Sequence, residues 1–288
     1  MASATPAEFD LWLGDPHRRP LVMGILNVTP DSFSDGGKLS DAGAAIAHGQ
    51  SMIESGAAVL DVGGESTRPG SEPVQADEQI RRVVPVIRAL AGRSLISIDT
   101  GNARVAEAAL DAGANIINDI YGGLLDPKLL PLAAQARVPV ILMHMQGRPA
   151  TMQVDPRYSD VMAEVTAFLK GRVDAAVNSG IDRHRVLVDP GIGFGKTSEH
   201  NLTLLGRLKE LKSLGQPLLV GTSRKGFIAR ITGESIESGR PFGSAATVAW
   251  CIANGADMVR VHDVGAMSQV VRVVEAIQRS GAPDFRGL

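Results

Sequence analysis

The 288-residue chain has little of several things, and each shortage excludes something. It has one cysteine, Cys251, so no intrachain disulfide can form and a reducing compartment is expected. No apolar stretch approaches the roughly 20 residues that a membrane-spanning helix needs. The first residues, MASATPAEFD, show neither a basic nor an apolar leader segment, so no signal peptide is read. The net charge of −2 offers no general attraction to nucleic acid or membrane. No HxxxH or CxxC spacing marks a metal centre, and no Pro- or Ser-rich linker divides the chain. With 44% hydrophobic and 21% charged residues, the composition is that of a globular domain. The expectation is a cytoplasmic protein with one domain over residues 1–288, in which residues 1–20 form a short lead-in.

What is present is an alternation. Short apolar strand candidates run Leu21–Asn27, Val59–Gly63, Leu95–Asp99, Ile116–Asn118, Val140–His144, Val186–Asp189, Leu218–Thr222 and Met258–His262. Longer amphipathic stretches lie between them, among them Ala42–Ser55, Gln75–Ala91, Ala103–Ala112, Ser159–Asn178, His200–Lys212, Ala245–Ala253 and Met267–Arg279. Strands apolar on both faces belong to a parallel sheet buried under helices. A weak repeat supports this: Gly56, Gly113, Gly180 and Gly255 each precede a strand, at the left-handed position that ends a helix. Pro20, Pro139 and Pro217 open three of the other strands. Eight such units without a linker point to a single (β/α)8 TIM barrel, with the lead-in covering its bottom. A doubly wound open sheet is the competing architecture. Cys251, inside the apolar helical pattern ATVAWCIANGA, reads as an inert core thiol.

In a (β/α)8 barrel the active site lies at the C-terminal ends of the strands. Here those ends carry Asn27, Asp61, Asp99, Asn118 with Asp119, His144, Asp189, Ser223–Lys225, and Arg260 with His262. One polar residue at a strand end is merely a group that meets solvent, and a single aspartate there is often a cap. A full ring of them converging on one mouth describes a binding site. A carboxylate accepts two parallel N–H bonds from a 2-amino-4-oxo pyrimidine edge, and a lysine donates to the ring carbonyl. Asp99, Asn118, Asp189 and Lys225 supply that chemistry, and an arginine plane such as Arg260 covers a flat heteroaromatic ring. Arg260 and His262, two apart on one strand, point the same way.

Two loops exceed the usual two to six residues of a βα turn or are rich in glycine, proline and hydroxyls. NVTPDSFSDGG (Asn27 to Gly37) carries an isolated Phe33, as a lid over a reacting centre would. GGESTRPG (Gly63 to Gly70) follows the second strand. DPGIGFGKTSEHN (Asp189 to Asn201) tempts a phosphate-loop reading, but the first glycine of GxxxxGK[ST] would fall on Pro190. It reads better as a flexible loop beneath Asp189. His144 in MHMQG is read as structural rather than catalytic.

NVTPDSFSDGG, GGESTRPG, SIDT, NDI, DPGIGFGK, SRK and RVHD occur in this order over essentially the whole chain. In this the sequence resembles the dihydropteroate synthase family, the sulfonamide targets of folate synthesis. The resemblance implies a barrel that joins 6-hydroxymethyl-7,8-dihydropterin pyrophosphate to 4-aminobenzoate, releasing 7,8-dihydropteroate and pyrophosphate with Mg2+ on the leaving group. It further implies that Asp99, Asn118, Met143, Asp189, Phe194, Lys225 and Arg260 bind the pterin. Asn27, Thr67, Arg260 and His262 would bind pyrophosphate, with Asn27 beside the metal. Phe33, Thr67, Arg68, Pro69, Ser223 and Lys225 would form the 4-aminobenzoate pocket. Asp99, Lys225, Arg260 and His262 would carry the catalysis, sulfonamides would inhibit, and the chain would be a homodimer. Two positions depart from the family pattern: Ile192, often phenylalanine, and Gly226, often serine.

The implied mechanism is dissociative: pyrophosphate leaves, charge spreads into the pterin, and the neutral aniline attacks without a strong base or a covalent intermediate. Two other readings remain: a pterin-binding barrel that transfers a methyl group from methyltetrahydrofolate, and a non-catalytic pterin-binding homologue. The intact TPDSFSDGG, STRPG and SRK segments argue against both.

Overall fold

The computed structural model describes residues 5–29, 38–66, 70–233 and 241–280. In chain order the elements are α1 (Pro6–Gly14), β1 (Leu21–Asn27), α2 (Lys38–Glu54), β2 (Val59–Gly63), α3 (Ala76–Leu90), β3 (Leu95–Asp99), α4 (Ala103–Asp111) and β4 (Ile116–Asp119). They continue with α5 (Leu129–Ala136), β5 (Val140–Met143), α6 (Val161–Asn178), β6 (Val186–Asp189), α7 (Ser198–Gly206), β7 (Leu219–Val220), α8 (Gly226–Thr232), α9 (Pro241–Ala253), β8 (Met258–Val261) and α10 (Val264–Ser280). All strand pairs are parallel, in the order β6-β5-β4-β3-β2-β1-β8-β7. The ring is closed by one bridge, Val188 to Leu218, with Val188 N–H donating to Pro217 O at 3.0 Å. The sheet is a barrel, not an open doubly wound sheet.

Strand alternation sorts the side chains into two cores. Val22, Leu60, Ile96, Leu142 and Val188 face outward and pack with the helices. Their neighbours Leu21, Met23, Val59, Leu95, Ile141 and Leu187 face inward and fill the lower barrel. Because side chains alternate along a strand, residues two further on also face inward, higher up. That rule aims Asp61, Asp99, Asn118, Asp189 and Arg260 into the barrel, toward its C-terminal end.

The lead-in is a helix. Thr5 caps α1 through a capping box: Thr5 Oγ1 accepts from Glu8 N–H at 3.3 Å, and Thr5 N–H donates to a Glu8 carboxylate oxygen at 2.7 Å. Phe9 and Leu13 of α1 join the inward-facing apolar residues and plug the barrel bottom. Trp12 stacks on Phe9 with centroids 5.2 Å apart.

The strand bounds expected from the sequence hold for β1, β2, β3 and β6, whereas β7 shrinks to two residues. The helix expected over 200–212 divides into α7 and a 3-10 segment, Leu208–Leu214, as Arg207 leaves helical geometry and pairs with Glu210. Gly56, Gly113, Gly180 and Gly255 all take positive φ, as the repeat requires.

Candidate active site

The upper barrel is a polar chamber. Asp61, midway along β2, is wholly buried. Its Oδ2 accepts from Arg260 Nε at 2.6 Å and from Asn118 Nδ2 at 2.9 Å. Arg260 Nη2 donates to Asp99 Oδ2 at 2.9 Å. One guanidinium is therefore shared by two carboxylates, and neither bond uses Nη1. Asp99 is pushed up to about 7, first by burial and then by the Asp61 charge, with Arg260 opposing. Asn27, at the end of β1, lies beside this group: a Cβ built on Gly63 would sit 3.6 Å from Asn27 Oδ1 and 3.7 Å from Asp99 Oδ2.

Across the chamber, Asp189 ends β6. Its Oδ1 accepts from Gly191 N–H at 2.7 Å, and burial raises its carboxyl to about 6 against the pull of that bond and of Lys225, Arg260 and Lys196. Lys225, just before α8, places Nζ 4.0 Å from the centroid of the Phe194 ring. Burial and Arg260 lower the Lys225 ammonium to about 8, while Asp189 and Asp99 hold it up. Met143 ends β5 and is buried beside Gly191. Asp99, Asn118, Met143, Asp189, Phe194, Lys225 and Arg260 are thus gathered around one space.

Toward the rim, Ser223 Oγ lies 3.0 Å from His262 Nδ1 and accepts from His262 N–H at 3.2 Å. Burial, then Arg260 and Arg224, lower the His262 imidazole to about 3, so the ring is neutral at physiological pH. Arg224 adopts φ 57° and pairs with Asp263 at 2.5 Å. Phe33, Thr67, Arg68 and Pro69, expected at the aminobenzoate pocket and the pyrophosphate, lie outside the described residues. Of the two departures from the family pattern, Ile192 is a core residue. At Gly226 a Cβ would meet only an Arg230 nitrogen 3.9 Å away, so the position has room for a side chain.

The glycine-rich stretch after β6, expected to be flexible, is pinned. Lys196 is buried, and its Nζ lies 2.9 Å from His144 Nδ1 and donates to the carbonyls of Gly191 (3.0 Å), Phe194 (3.0 Å) and His144 (3.3 Å). Tyr158 Oη donates to Gly195 O at 2.7 Å, and Gly193 N–H to Asn201 Oδ1 at 2.7 Å. A Cβ on Gly191 would fall 1.9 Å from His144 O, so only glycine allows this approach. The lysine of GFGK therefore faces inward, with its ammonium engaged by His144 and backbone carbonyls. His144 is structural as expected, with a ring that burial and Lys196 lower to about 3.

The sequence reasoning gave no role to Asp61 and did not single out Ser97 or Lys196. Alternation along β2 and β3 was the available signal for the first two: Asp61 and Ser97 are register partners, both inward-facing. Nothing in the sequence marked Lys196 as buried.

A parallel barrel whose mouth gathers acceptors, a lysine and an arginine has the architecture of a pterin-binding enzyme, and the model of that family, "Pterin binding enzyme", matches residues 23–262. A dihydropteroate synthase of Synechocystis sp. is 48% identical, over 93% of this chain and 93% of its own length. Among solved structures, Xanthomonas albilineans dihydropteroate synthase with 4-aminobenzoic acid shares 48% identity at a TM-score of 0.85, covering 90% of this chain and 93% of that one. Yersinia pestis dihydropteroate synthase in a sulfonamide drug complex shares 44% identity at a TM-score of 0.85, covering 90% and 94%. The chain belongs to the dihydropteroate synthases, transferases of folate synthesis.

Proposed function

We propose that the chain condenses 6-hydroxymethyl-7,8-dihydropterin pyrophosphate with 4-aminobenzoate by a dissociative reaction at the barrel mouth. The observation that carries this is the opposed pairing of Asp189 and Lys225 with the Asp99–Arg260–Asn118 group around a single chamber. Ionised Asp189 accepts the two N–H groups of the pterin 2-amino edge, Lys225 donates to the 4-oxo group, and Asn118 reads the remaining edge. Phe194 and the Arg260 plane line the ring faces, and Met143 closes the apolar side. As the C–O bond to pyrophosphate breaks, positive charge grows on the methylene carbon and spreads into the ring. Asp99, held in place by Arg260, faces that charge in a water-poor chamber, where a fixed dipole or ion counts most. The aniline of 4-aminobenzoate attacks as the neutral amine and loses its proton after the C–N bond forms, so no strong base is needed.

His262 and Ser223 meet the departing pyrophosphate as hydrogen-bonding groups, because the imidazole is neutral in the ligand-free chamber. Arg260 contributes through its remaining face and Nη1. Ser223 and Lys225 stand at the edge where the aminobenzoate carboxylate would lie, with Phe33, Thr67, Arg68 and Pro69 completing that pocket. Sulfonamides would compete there, as the sulfonamide drug complex of the Yersinia pestis relative suggests.

A Mg2+ ion accords with the donor set. No group of three or more His, Cys, Asp or Glu residues could hold a metal among the described residues. Mg2+, however, often takes one or two protein oxygens and completes its shell with phosphate oxygens and water. Asn27 Oδ1, beside the Asp99 group, is such an oxygen. When bound, the ion would neutralise charge on the leaving pyrophosphate.

A homodimer is favoured by apolar side chains on neighbouring helices: Val273 and Ile277 sit one turn apart on α10, 60% and 66% exposed, beside α9 with its exposed Phe242. Among the described residues no helix is long and apolar enough to cross a membrane.

The test of the main reading is a coupled pyrophosphate-release assay with both substrates. Absence of turnover by folded protein in the presence of Mg2+ would sink it. Phe33→Ala should chiefly raise the KM for 4-aminobenzoate, and an unchanged value would remove Phe33 from that pocket.

A further inference from the structure

Asp61 is buried deeper than any pterin contact assigned above, at 0% exposure. It sits two residues below Gly63 on β2, within the barrel. From a single oxygen, Oδ2, it holds both the Nε of Arg260 and the amide of Asn118. These two side chains come from β8 and β4 and approach the chamber from different sides. Its other oxygen, Oδ1, is buried and makes no hydrogen bond. Ser97, its register partner on β3, presents a second buried atom without a partner, Oγ. An unsatisfied carboxylate oxygen in a protein interior is costly, so its retention calls for an explanation. Folding alone does not supply one, since the adjacent inward layer is apolar and Val59 occupies the same strand one step lower.

We propose that Asp61 is a positioning residue for the pterin: it sets the plane of the Arg260 guanidinium and the rotamer of the Asn118 amide before substrate enters. Three consequences of the geometry support it. Both bonds run from donor to carboxylate, so each leaves its donor facing one way only. Arg260 is bridged between Asp61 and Asp99, which fixes a plane rather than a point, as stacking on a flat ring demands. One N–H of the Asn118 amide is committed to Asp61, which fixes the rotamer of that side chain and so the direction in which its remaining N–H and its Oδ1 are presented.

This inference rests on the pterin reading, so its first readout is pterin binding alone, with the KM for 4-aminobenzoate as a second readout in the active enzyme. Wild type and Asp61→Asn are titrated calorimetrically with the dihydropterin pyrophosphate without the second substrate, after thermal unfolding has shown that both are folded. Asparagine keeps the shape and can still accept both bonds through its amide oxygen, but it removes the carboxylate charge that makes them strong. The expected result is a loss of pterin affinity of roughly tenfold, the size set by exchanging two charge-assisted bonds for neutral ones, with the KM for 4-aminobenzoate changed less than about twofold. Should Asp61→Asn fail to fold, Asp61→Glu, which keeps the charge and moves the carboxylate by one methylene, is expected to show the same selective loss. Asp61→Asn in an Arg260→Lys background should cost much less than in wild type, because the group through which it acts has already lost its fork. Wild-type pterin affinity in a folded Asp61 variant, an equal rise in both substrates' constants, or full additivity with Arg260→Lys would overturn the proposal. A wild-type protein that binds pterin but does not turn over would count against the synthase reading and leave this inference standing on the binding data.

Discussion

Along β2 the chain places Val59 inside the barrel and, two residues later, Asp61. Along β3 it places Leu95 and then Asp99; along β6, Leu187 and then Asp189; along β8, Met258 and then Arg260. The same strands thus build two ends of opposite character. The lower end is apolar, capped by Phe9 and Leu13 of α1, and carries stability. The upper end crowds carboxylates and cations at low exposure, and Asp99 and Asp189 there are pushed up to about 7 and about 6. Burying charge in this way costs stability, so the lower end offsets what the upper end spends on ligand recognition.

The largest effect that should separate the ends is removal of a recognition charge. Asp189→Ala or Lys225→Ala should weaken pterin binding by about 100-fold or more, as removing a buried charge that hydrogen-bonds the ligand does. Calorimetry reads that loss, and circular dichroism should show an intact fold; retained affinity would mean that the pterin lies elsewhere. The reverse experiment is Phe9→Ala, which should cost about 3 kcal/mol of stability by denaturant unfolding, the usual range for a buried phenylalanine. Its kcat/KM at 25 °C should stay within about twofold, a factor set by the absence of any contact with the mouth. A fall in kcat/KM without a fall in stability would show that the two ends are not separable.

A milder probe is pH. If Asp189 holds the pterin edge as proposed, only its ionised form accepts both N–H groups, so affinity should rise as pH rises through about 6 and fall below it. The stability contribution runs the other way. With its folded value above the ordinary 3.8, this carboxyl binds more protons folded than unfolded between 3.8 and about 6, so its own contribution to stability falls as pH rises. Asp189→Asn should abolish the affinity limb, and persistence of the limb would assign it to another group. The smallest effect concerns Cys251, buried, with a thiol that burial pushes up to about 12. Iodoacetamide under native conditions should leave activity unchanged, whereas after unfolding the thiol should react fully.

The legibility of this protein follows the same division. The β1, β2, β3 and β6 bounds were readable because apolar runs end abruptly in polar residues. The strand ends that carry Asp99, Asn118, Asp189 and Arg260 were readable for the same reason. The α1 helix was not read, although Thr5 and Glu8 form its capping box, because an isolated helix of nine residues has weak periodicity. The seven-residue α8 is shorter still. What the sequence could not display were contacts between distant positions. Asp61 and Arg260 are 199 residues apart, and Lys196 lies 52 from His144, so neither pairing has a local signature. Composition also misled at residues 191–195, where glycines that look permissive serve close packing instead.

The single bridge between β6 and β7 has a further consequence. A cask with seven tight joints and one loose stave opens at that stave. Asp189 stands on one side of the seam, and Lys225 follows the strand on the other. A bicyclic ring gripped by both residues would span the gap and serve as the missing rung. Ligand would then tighten the hoop as well as fill the cavity, and the slowing of amide exchange at Val188 on binding would report it.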